Sequence, residues 1–315
     1  MSKVNRNSPI RSSASESRYS LFEFEKDFPD DAACLEYLVR HLYPYGIPCA
    51  NPKCPHYGEI TKHHRDRTRP SYSCQFCGHR VHPMAGTIFE NSGTSLRLWF
   101  YGIYLMTSTR CGISAKQLER ELGVTYKTAW RMFNKVRSLM AQDDPERFGG
   151  TIEMDEAYIG PRGQKPGRPQ EGDPKSAVFG IAQRKGEQRR GRILARVVPS
   201  TQATTVVPII WEKVLPKSVV CTDEYGIYNL LGDFGYRHSR IHHSQKVYVM
   251  GDVHTNTVEG FWAMVKNGIS GVHHGVSRRW LQSYLDEYAW RYNSRGREMF
   301  TALLSRVRKA PQAAS

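Results

Sequence analysis

TIEMDEAYIG, residues 151–160, reads as a β-strand and carries an aspartate, Asp155, at its centre. Its alternation of apolar and polar residues has the period of a strand. A buried strand rarely presents an aspartate unless that group is paired or binds a metal. A second β-type run, SVVCTDEY at 218–225, brings Asp223 to its C-terminal end. A third stretch, HTNTVEGFWAMVKNG at 254–268, has a helical stripe of Val258, Phe261, Trp262 and Val265 and carries Glu259. Thr255 or Asn256 stands where a cap would be, and His254 and Asn256 either assist at the site or serve the cap.

The spacing of these carboxylates suggests a chemistry. Asp155 and Asp223 are 68 positions apart, and 35 residues lie between Asp223 and Glu259. Two strand-borne aspartates and one helix-borne glutamate can converge on a pair of divalent ions, which at a separation of about 4 Å clamp the attacking and leaving oxygens of a phosphoryl displacement. Hard oxygen ligands favour Mg²⁺ or Mn²⁺. Lys266 follows Glu259 by seven residues, almost two helical turns, on the same face. It is either a phosphate contact or a surface lysine. Glu156 and Glu224 adjoin the two aspartates and face the other way on a strand, so they rank below them as ligands. Taken alone, the trio is equally compatible with scattered carboxylates in an α/β domain.

Around these stretches the texture is α/β. Further strand-like runs occupy Ala177–Gln183 and Ile193–Val198, a helical run spans Thr204–Val214, another strand falls near Tyr236–Ile241, and two helices begin near Asn256 and Arg278. The insert Pro161–Pro174 is rich in Gly and Pro, and RKGEQRRGR at 184–192 reads as a basic hairpin tip bearing Arg184, Arg189 and Arg190. Both are phosphate contacts or solvated loops.

Upstream, residues 113–138 read helix, short glycine-containing turn, helix. Ser114 and Gln117 make a capping-box pattern, Gly123 ends the first helix, and Ala129, Trp130, Phe133 and Val136 stripe the second. This is the pattern of a DNA-binding helix-turn-helix and also of any αα-hairpin. In the former case Thr125, Tyr126, Lys127 and Thr128 begin the reading helix, with Lys135 and Arg137 adding charge. Further upstream, Cys49-x4-Cys54 and Cys74-x2-Cys77 have the spacing of a closed, structural Zn²⁺ site of the ribbon type, with His56 as a substitute ligand in reach. The remaining cysteines, Cys34, Cys111 and Cys221, read as core. An odd total of seven argues against a disulfide framework.

Composition sets the outer bounds. The 315 residues include 45 Lys+Arg against 30 Asp+Glu, a formal charge of +15, which makes a polyanion such as nucleic acid the default partner. The longest apolar stretch, Leu98 to Met106, is too short to span a bilayer, and the polar, basic start has no signal-peptide core, so the chain reads as cytoplasmic and free of membrane.

The order of parts resembles a DDE-type bacterial insertion-sequence transposase of the ISXO2-like group, with an N-terminal zinc ribbon and a ribonuclease-H-like catalytic domain. The motifs that carry the resemblance are the Cys49/Cys54/Cys74/Cys77 ribbon, E-M-D-E at Asp155, T-D-E-Y at Asp223, N-T-V-E-G-F-W leading to Lys266, and W-R-Y-N at Trp290–Asn293, and it extends over about residues 25–300. It implies Asp155, Asp223 and Glu259 as ligands of two Mg²⁺ and Lys266 as a DNA contact. It further implies binding to double-stranded DNA at the element's inverted repeats, strand cleavage and strand transfer, and a homo-oligomer when two ends are bridged. Some members of the group carry Asn or His in place of the glutamate; this chain has Glu259. The ribbon's first knuckle is C-x4-C where many have C-x2-C. From another class, a zinc-ribbon/helix-turn-helix regulator with an inactive α/β domain fits the same motifs, as does a nuclease that cuts without joining.

The expected organisation is a disordered basic arm over 1–20, a short helical segment over 21–46, a zinc ribbon over 47–84, a helix-turn-helix segment over 94–142 and an α/β, ribonuclease-H-like catalytic domain over 150–315.

Overall fold

The computed structural model describes residues 19–109, 111–141, 146–160, 175–186, 190–223, 226–240 and 254–309. The expectations placed on the arm before Tyr19, on Pro161–Pro174, on Arg189 and on Glu224 lie outside these residues. The described chain is mixed α/β and divides into two compact units, one formed by the residues up to Ser108 together with those from Ser294, the other by Thr109–Asn293.

The first unit holds α1 (Leu21–Asp27), α2 (Asp31–Leu42), strands β1 (His63–Arg65), β2 (Tyr72–Cys74) and β3 (Arg80–Val81), α3 (Leu96–Ser108) and, from the far end of the chain, α9 (Met299–Leu304). The Asp30 side chain accepts from the Ala33 amide and starts α2 where the Pro-Asp-Asp signal predicts it. Phe24 is fully buried and meets the rings of Phe28, Tyr104 and Phe300. α9 thus returns the C-terminal end of the chain to this core. The three short strands form an antiparallel sheet in the order β1-β2-β3.

The second unit begins with α4 (Ala115–Leu122) and α5 (Tyr126–Met140) and continues through β4 (Thr151–Ile159), β5 (Ser176–Gln183), β6 (Arg192–Val198), α6 (Ala203–Lys213), β7 (Val219–Thr222), a 3-10 turn at Gly226–Leu231, β8 (Arg237–Arg240), α7 (Asn256–Gly268), a π-helical turn at Ile269–His273 and α8 (Arg278–Asn293). The unit boundary puts α3 in the first unit and α4 and α5 in the second, across the 94–142 segment. The strands make one sheet in the order β6-β5-β4-β7-β8. β4, β5 and β6 run antiparallel in sequence, and β7 and β8 add parallel to β4. The strand of Asp155 is therefore central, flanked on one side by the strand that leads to Asp223.

Each face of the sheet is covered. Ala157 and Ile159 of β4 pack with Val258, Phe261, Trp262 and Val265 of α7 and with Leu281 and Leu285 of α8. Ile152 and Met154 pack on the opposite side with Val206 and Ile210 of α6 and with Tyr228 and Leu231. The alternation in TIEMDEAYIG thus sends Glu153 and Asp155 toward the α7 side and Glu156 toward the α6 side.

A buried ion triad ties α5 to α8. Arg137 Nε donates to Glu287 Oε2 at 2.8 Å, and Arg291 Nη2 donates to Glu287 Oε1 at 2.9 Å. The Arg137 guanidinium also lies against the Phe133 and Tyr284 rings, 3.8 and 3.3 Å from their centroids. Arg137, expected to add charge for DNA, is fully buried and spent inside the fold. Cys34 and Cys221 are buried as expected, whereas Cys111 is exposed, because it falls in the turn before α4. No helix among the described residues is long and apolar enough to cross a membrane.

Candidate active site

The β4–β7 register brings the two aspartates together. Thr151, Ile152 and Glu153 pair with Val219, Val220 and Cys221, an offset of 219 − 151 = 68. The separation of Asp155 and Asp223 is 223 − 155 = 68, so the two occupy one level of adjacent parallel strands, Asp223 just past the end of β7. Burial first, and then the charge of Asp223 and more weakly that of Glu259, push the Asp155 carboxyl up to about 7, while Lys266 pulls it down. The charges of Asp223, Glu259 and Lys266 are thus all felt at the Asp155 carboxyl. Among the described residues the only group of three or more metal-ligating side chains drawn within 4.8 Å is a cysteine quartet, so the three carboxylates stand in a more open arrangement.

Glu259 reaches this space because α7 is held by a residue of β4. The Glu153 carboxylate is fully buried and accepts from the Thr257 amide at 2.7 Å, the Val258 amide at 3.0 Å and the Thr257 hydroxyl at 2.8 Å. Those are the second and third amides of α7, the donors that an N-cap side chain ordinarily satisfies. Thr255 stands at the N-cap position and makes no such bond; its hydroxyl instead donates to Glu259 Oε1 at 2.5 Å and orients that carboxylate. Arg184 Nε donates to Glu153 Oε1 at 2.6 Å, and Arg184 Nη2 donates to the His254 carbonyl at 2.6 Å. His254 Nδ1 lies 3.2 Å from the same Glu153 oxygen. Glu153 thus carries out the capping expected of Thr255 or Asn256.

Close packing brings the helix down onto the strands. Gly180 on β5 pairs with Asp155, and a Cβ there would lie 2.5 Å from Trp262 and 3.1 Å from Val258. Glu156 faces away and accepts from the Tyr228 hydroxyl, as the strand alternation predicts. Burial first, and Asp155 and Asp223 after it, raise its carboxyl to about 8.

The other site residues predicted from sequence fall into several groups. Lys266 is exposed on the last turn of α7. Thr125 caps α5 through the Thr128 amide, and Thr125, Tyr126 and Lys127 are exposed. Lys135 is half-buried. Arg190 is exposed, while the Arg184 side chain is only 16% exposed and its guanidinium is committed to Glu153 and His254. Ser114 accepts from the Gln117 amide, but the Gln117 side chain bonds Glu121, so only half of the capping box forms. Gly123 takes the left-handed conformation that ends α4.

In the first unit Cys49, Cys54, Cys74 and Cys77 bring their sulfurs within 4.8 Å of one another. Cys49 Sγ and Cys77 Sγ are 3.6 Å apart. With a Zn–S bond of about 2.3 Å, the edge of a tetrahedral four-thiolate site is about 3.8 Å, so the quartet has the size of such a site. The Thr61 hydroxyl and the Cys77 and Phe76 amides lower the Cys74 thiol, whereas burial and the neighbouring thiols raise Cys49 and Cys54, so the four do not all ionise until a cation sits among them. His56 stands apart: its Nδ1 pairs with Glu59 Oε2 at 2.8 Å and its ring packs on Phe76.

Glu153, Gly180 and the partners of Arg137 are what sequence reasoning missed. Glu153 had a signal, a second carboxylate on the same strand face as Asp155. Gly180 had one too, since a glycine inside a strand marks close approach.

Comparison with known proteins places the chain among transposases. Residues 147–293 match the ISXO2-like transposase domain. A protein of Haemophilus influenzae described as an "uncharacterized transposase-like protein" is 33% identical over 103 residues, covering 33% of this chain and 82% of its own. The chain belongs to the ISXO2-like transposase family, a family of insertion-sequence transposases. A protein from the transposable element ISH50 of Halobacterium salinarum is 28% identical over 300 residues, 89% of this chain and 97% of that one. A chain of a simian T-cell lymphotropic virus intasome aligns with 58% of this chain and 66% of its own length at 12% identity, but its TM-score of 0.28 is too low to bear on the fold.

Proposed function

We propose that the protein binds double-stranded DNA at the ends of an insertion sequence and catalyses strand cleavage and strand transfer, with Asp155, Asp223 and Glu259 as the acidic trio of a ribonuclease-H-like domain. One observation carries this reading: Asp155 on β4 and Asp223 at the end of β7 share one level of adjacent parallel strands, and the charges of Asp223 and of Glu259 on α7 both act on the Asp155 carboxyl. The donor set fits hard divalent cations: Asp155 and Asp223 are half-buried, Glu259 is exposed, and the repulsion that Asp155 feels from the other two carboxylates is eased by a positive charge. Mg²⁺ or Mn²⁺ held there would supply Lewis acidity at a phosphodiester. The chain's own contributions are distinct. Thr255 orients Glu259, Glu153 fixes the helix that bears it, and Lys266 offers a charge to a phosphate beside the trio. Lys127 and Arg190 are exposed for backbone contacts away from it.

The cysteine quartet is read as a structural zinc ribbon, and α4–α5 as a helix-turn-helix whose exposed Thr125–Lys127 end meets DNA. Pairing of two element ends calls for at least a dimer in the working complex.

The test is Asp223→Ala assayed on labelled element ends with Mg²⁺ or Mn²⁺. Wild-type protein should nick and join, and the variant should bind the same DNA without either. Nicking and joining at the wild-type rate by Asp223→Ala would remove the trio from the mechanism. Salt-sensitive binding with no cut strands in the wild type would point to a regulator, and cutting without joining to a nuclease.

A further inference from the structure

A cavity of about 570 Å³ lies within the second unit, between the starts of α4 and α5, the π-helical turn and α8. Ligand sites commonly have this size. Its walls combine three kinds of group. Tyr126, Trp130 and Trp280 supply aromatic rings, and Lys116 and Arg120 supply charge. His273 supplies an imidazole whose Nε2 is buried and has no hydrogen-bond partner among the described residues.

The Tyr126 ring and the His273 nitrogen each carry a cost as they stand. Tyr126 is 48% exposed although its ring stacks on Trp130, the centroids 6.4 Å apart and the planes 21° from parallel. Trp280 meets Trp130 edge-on at 5.7 Å. A buried ring nitrogen without a partner forfeits its hydrogen bond to water. Burial pushes the His273 imidazole down to about 4, so at neutral pH the ring is uncharged and its free nitrogen can donate or accept according to tautomer. Lys116 is shared with Glu119 at 2.5 Å and lies 5.7 Å from the Tyr126 ring centroid. The backbone bends around this space, through the π-helical turn and then left-handed His274 and Gly275.

A flat π-system with a polar edge and an adjacent anion satisfies all three kinds of group at once, and a nucleotide has that chemistry. Resting on the reading that the protein acts on DNA, we propose that this cavity receives a single unpaired DNA base, stacked against Tyr126 and Trp280, with its edge at His273 and its flanking phosphate at Arg120 and Lys116.

The test uses the full chain and two duplexes, identical except that one carries an extra unpaired 2-aminopurine nucleotide. The wild type should bind the bulged duplex about tenfold more tightly, since it gains one base stacked on aromatic side chains. The 2-aminopurine fluorescence should change on binding. Trp280→Ala should abolish the preference while leaving affinity for the matched duplex unchanged, Trp280→Phe should restore most of it, and His273→Ala should reduce it. Equal binding of both duplexes by the wild type, or a preference that survives Trp280→Ala, overturns the base pocket and leaves the DNA-acting reading intact. Binding of neither duplex overturns both. If dAMP alone occupies the site as tightly as the bulged duplex does, the ligand is a free nucleotide and a base presented by DNA is ruled out.

Discussion

Gly180 stands directly opposite Asp155 in the β4–β5 pair, and the space that a methyl group at 180 would need is occupied by Trp262 of the helix that carries Glu259. The strand bearing one acidic residue and the helix bearing another are therefore set at their distance by the absence of a side chain between them.

Gly180→Ala should lift α7 from the sheet. Overpacking of this kind costs about 1–3 kcal/mol, and a displacement of roughly 1 Å at a catalytic group can cost about a hundredfold in rate. Strand cleavage should fall much further than stability does. Trp262→Leu, which vacates the contested space, should recover part of the lost rate in the double variant. Wild-type cleavage by Gly180→Ala would show that this close approach does not position Glu259.

Glu153 should prove as important to the fold as to the site. Glu153→Ala strands two amides of α7 and the charge of Arg184, and breaking a buried pair in this way costs about 3–5 kcal/mol. Urea unfolding of Glu153→Gln, Arg184→Met and the double variant would measure the coupling, expected to exceed about 1 kcal/mol. Strictly additive effects would mean that Arg184 is not its partner.

The cysteine quartet should bind about one zinc per chain. Cys54→Ser or Cys77→Ser should lose the metal, measured by elemental analysis, and should make the first unit susceptible to protease. His56→Ala should keep its zinc, because His56 is turned to Glu59. Retention of zinc by Cys54→Ser together with its loss from His56→Ala would reassign the ligand.

Acid should weaken the second unit in two steps. Burial is the main cause that pushes His273 from 6.5 down to about 4, with Arg137, Arg291 and His274 adding to it and Glu287 opposing. The unfolded chain therefore takes up that proton first, and the contribution of neutral His273, complete above pH 6.5, is lost as the pH falls toward 4. Glu287 follows. Burial alone would raise it, but Arg137 and Arg291 hold it below 4.5, so its contribution, present above that value, is lost in still stronger acid. Thermal unfolding of His273→Phe should show a loss between pH 6.5 and 4 that is smaller than the wild type's by up to about 3 kcal/mol. Parallel pH profiles for the two proteins would exclude the histidine.

Much of the second unit was legible because its signals are local. The period of two in TIEMDEAYIG gave the strand its residues, and the helical stripe at 256–268 gave α7 its start. The side on which Glu156 falls followed from the same alternation. What stayed hidden depends on partners far along the chain. Glu153 caps a helix more than a hundred residues away, and Arg137 looks like surface charge until Glu287 is placed beside it, 150 residues on. The 94–142 segment has a helical pattern throughout, broken near Cys111-Gly112 and Gly123. Nothing local marks α3 as belonging with a core that α9 completes.

The triad of Arg137, Glu287 and Arg291 has a consequence for how DNA would be measured. It fastens α5 to α8, and α8 lies against the same sheet that carries Asp155. The helix that begins at Tyr126 is thus fastened, through α8, to the sheet that carries Asp155. On the proposed function such an arrangement would work as a fixed gauge: DNA gripped at the start of α5 would meet the trio a set number of base pairs from the grip, and shifting the cut along the strand would require loosening a buried charge network rather than moving a hinge.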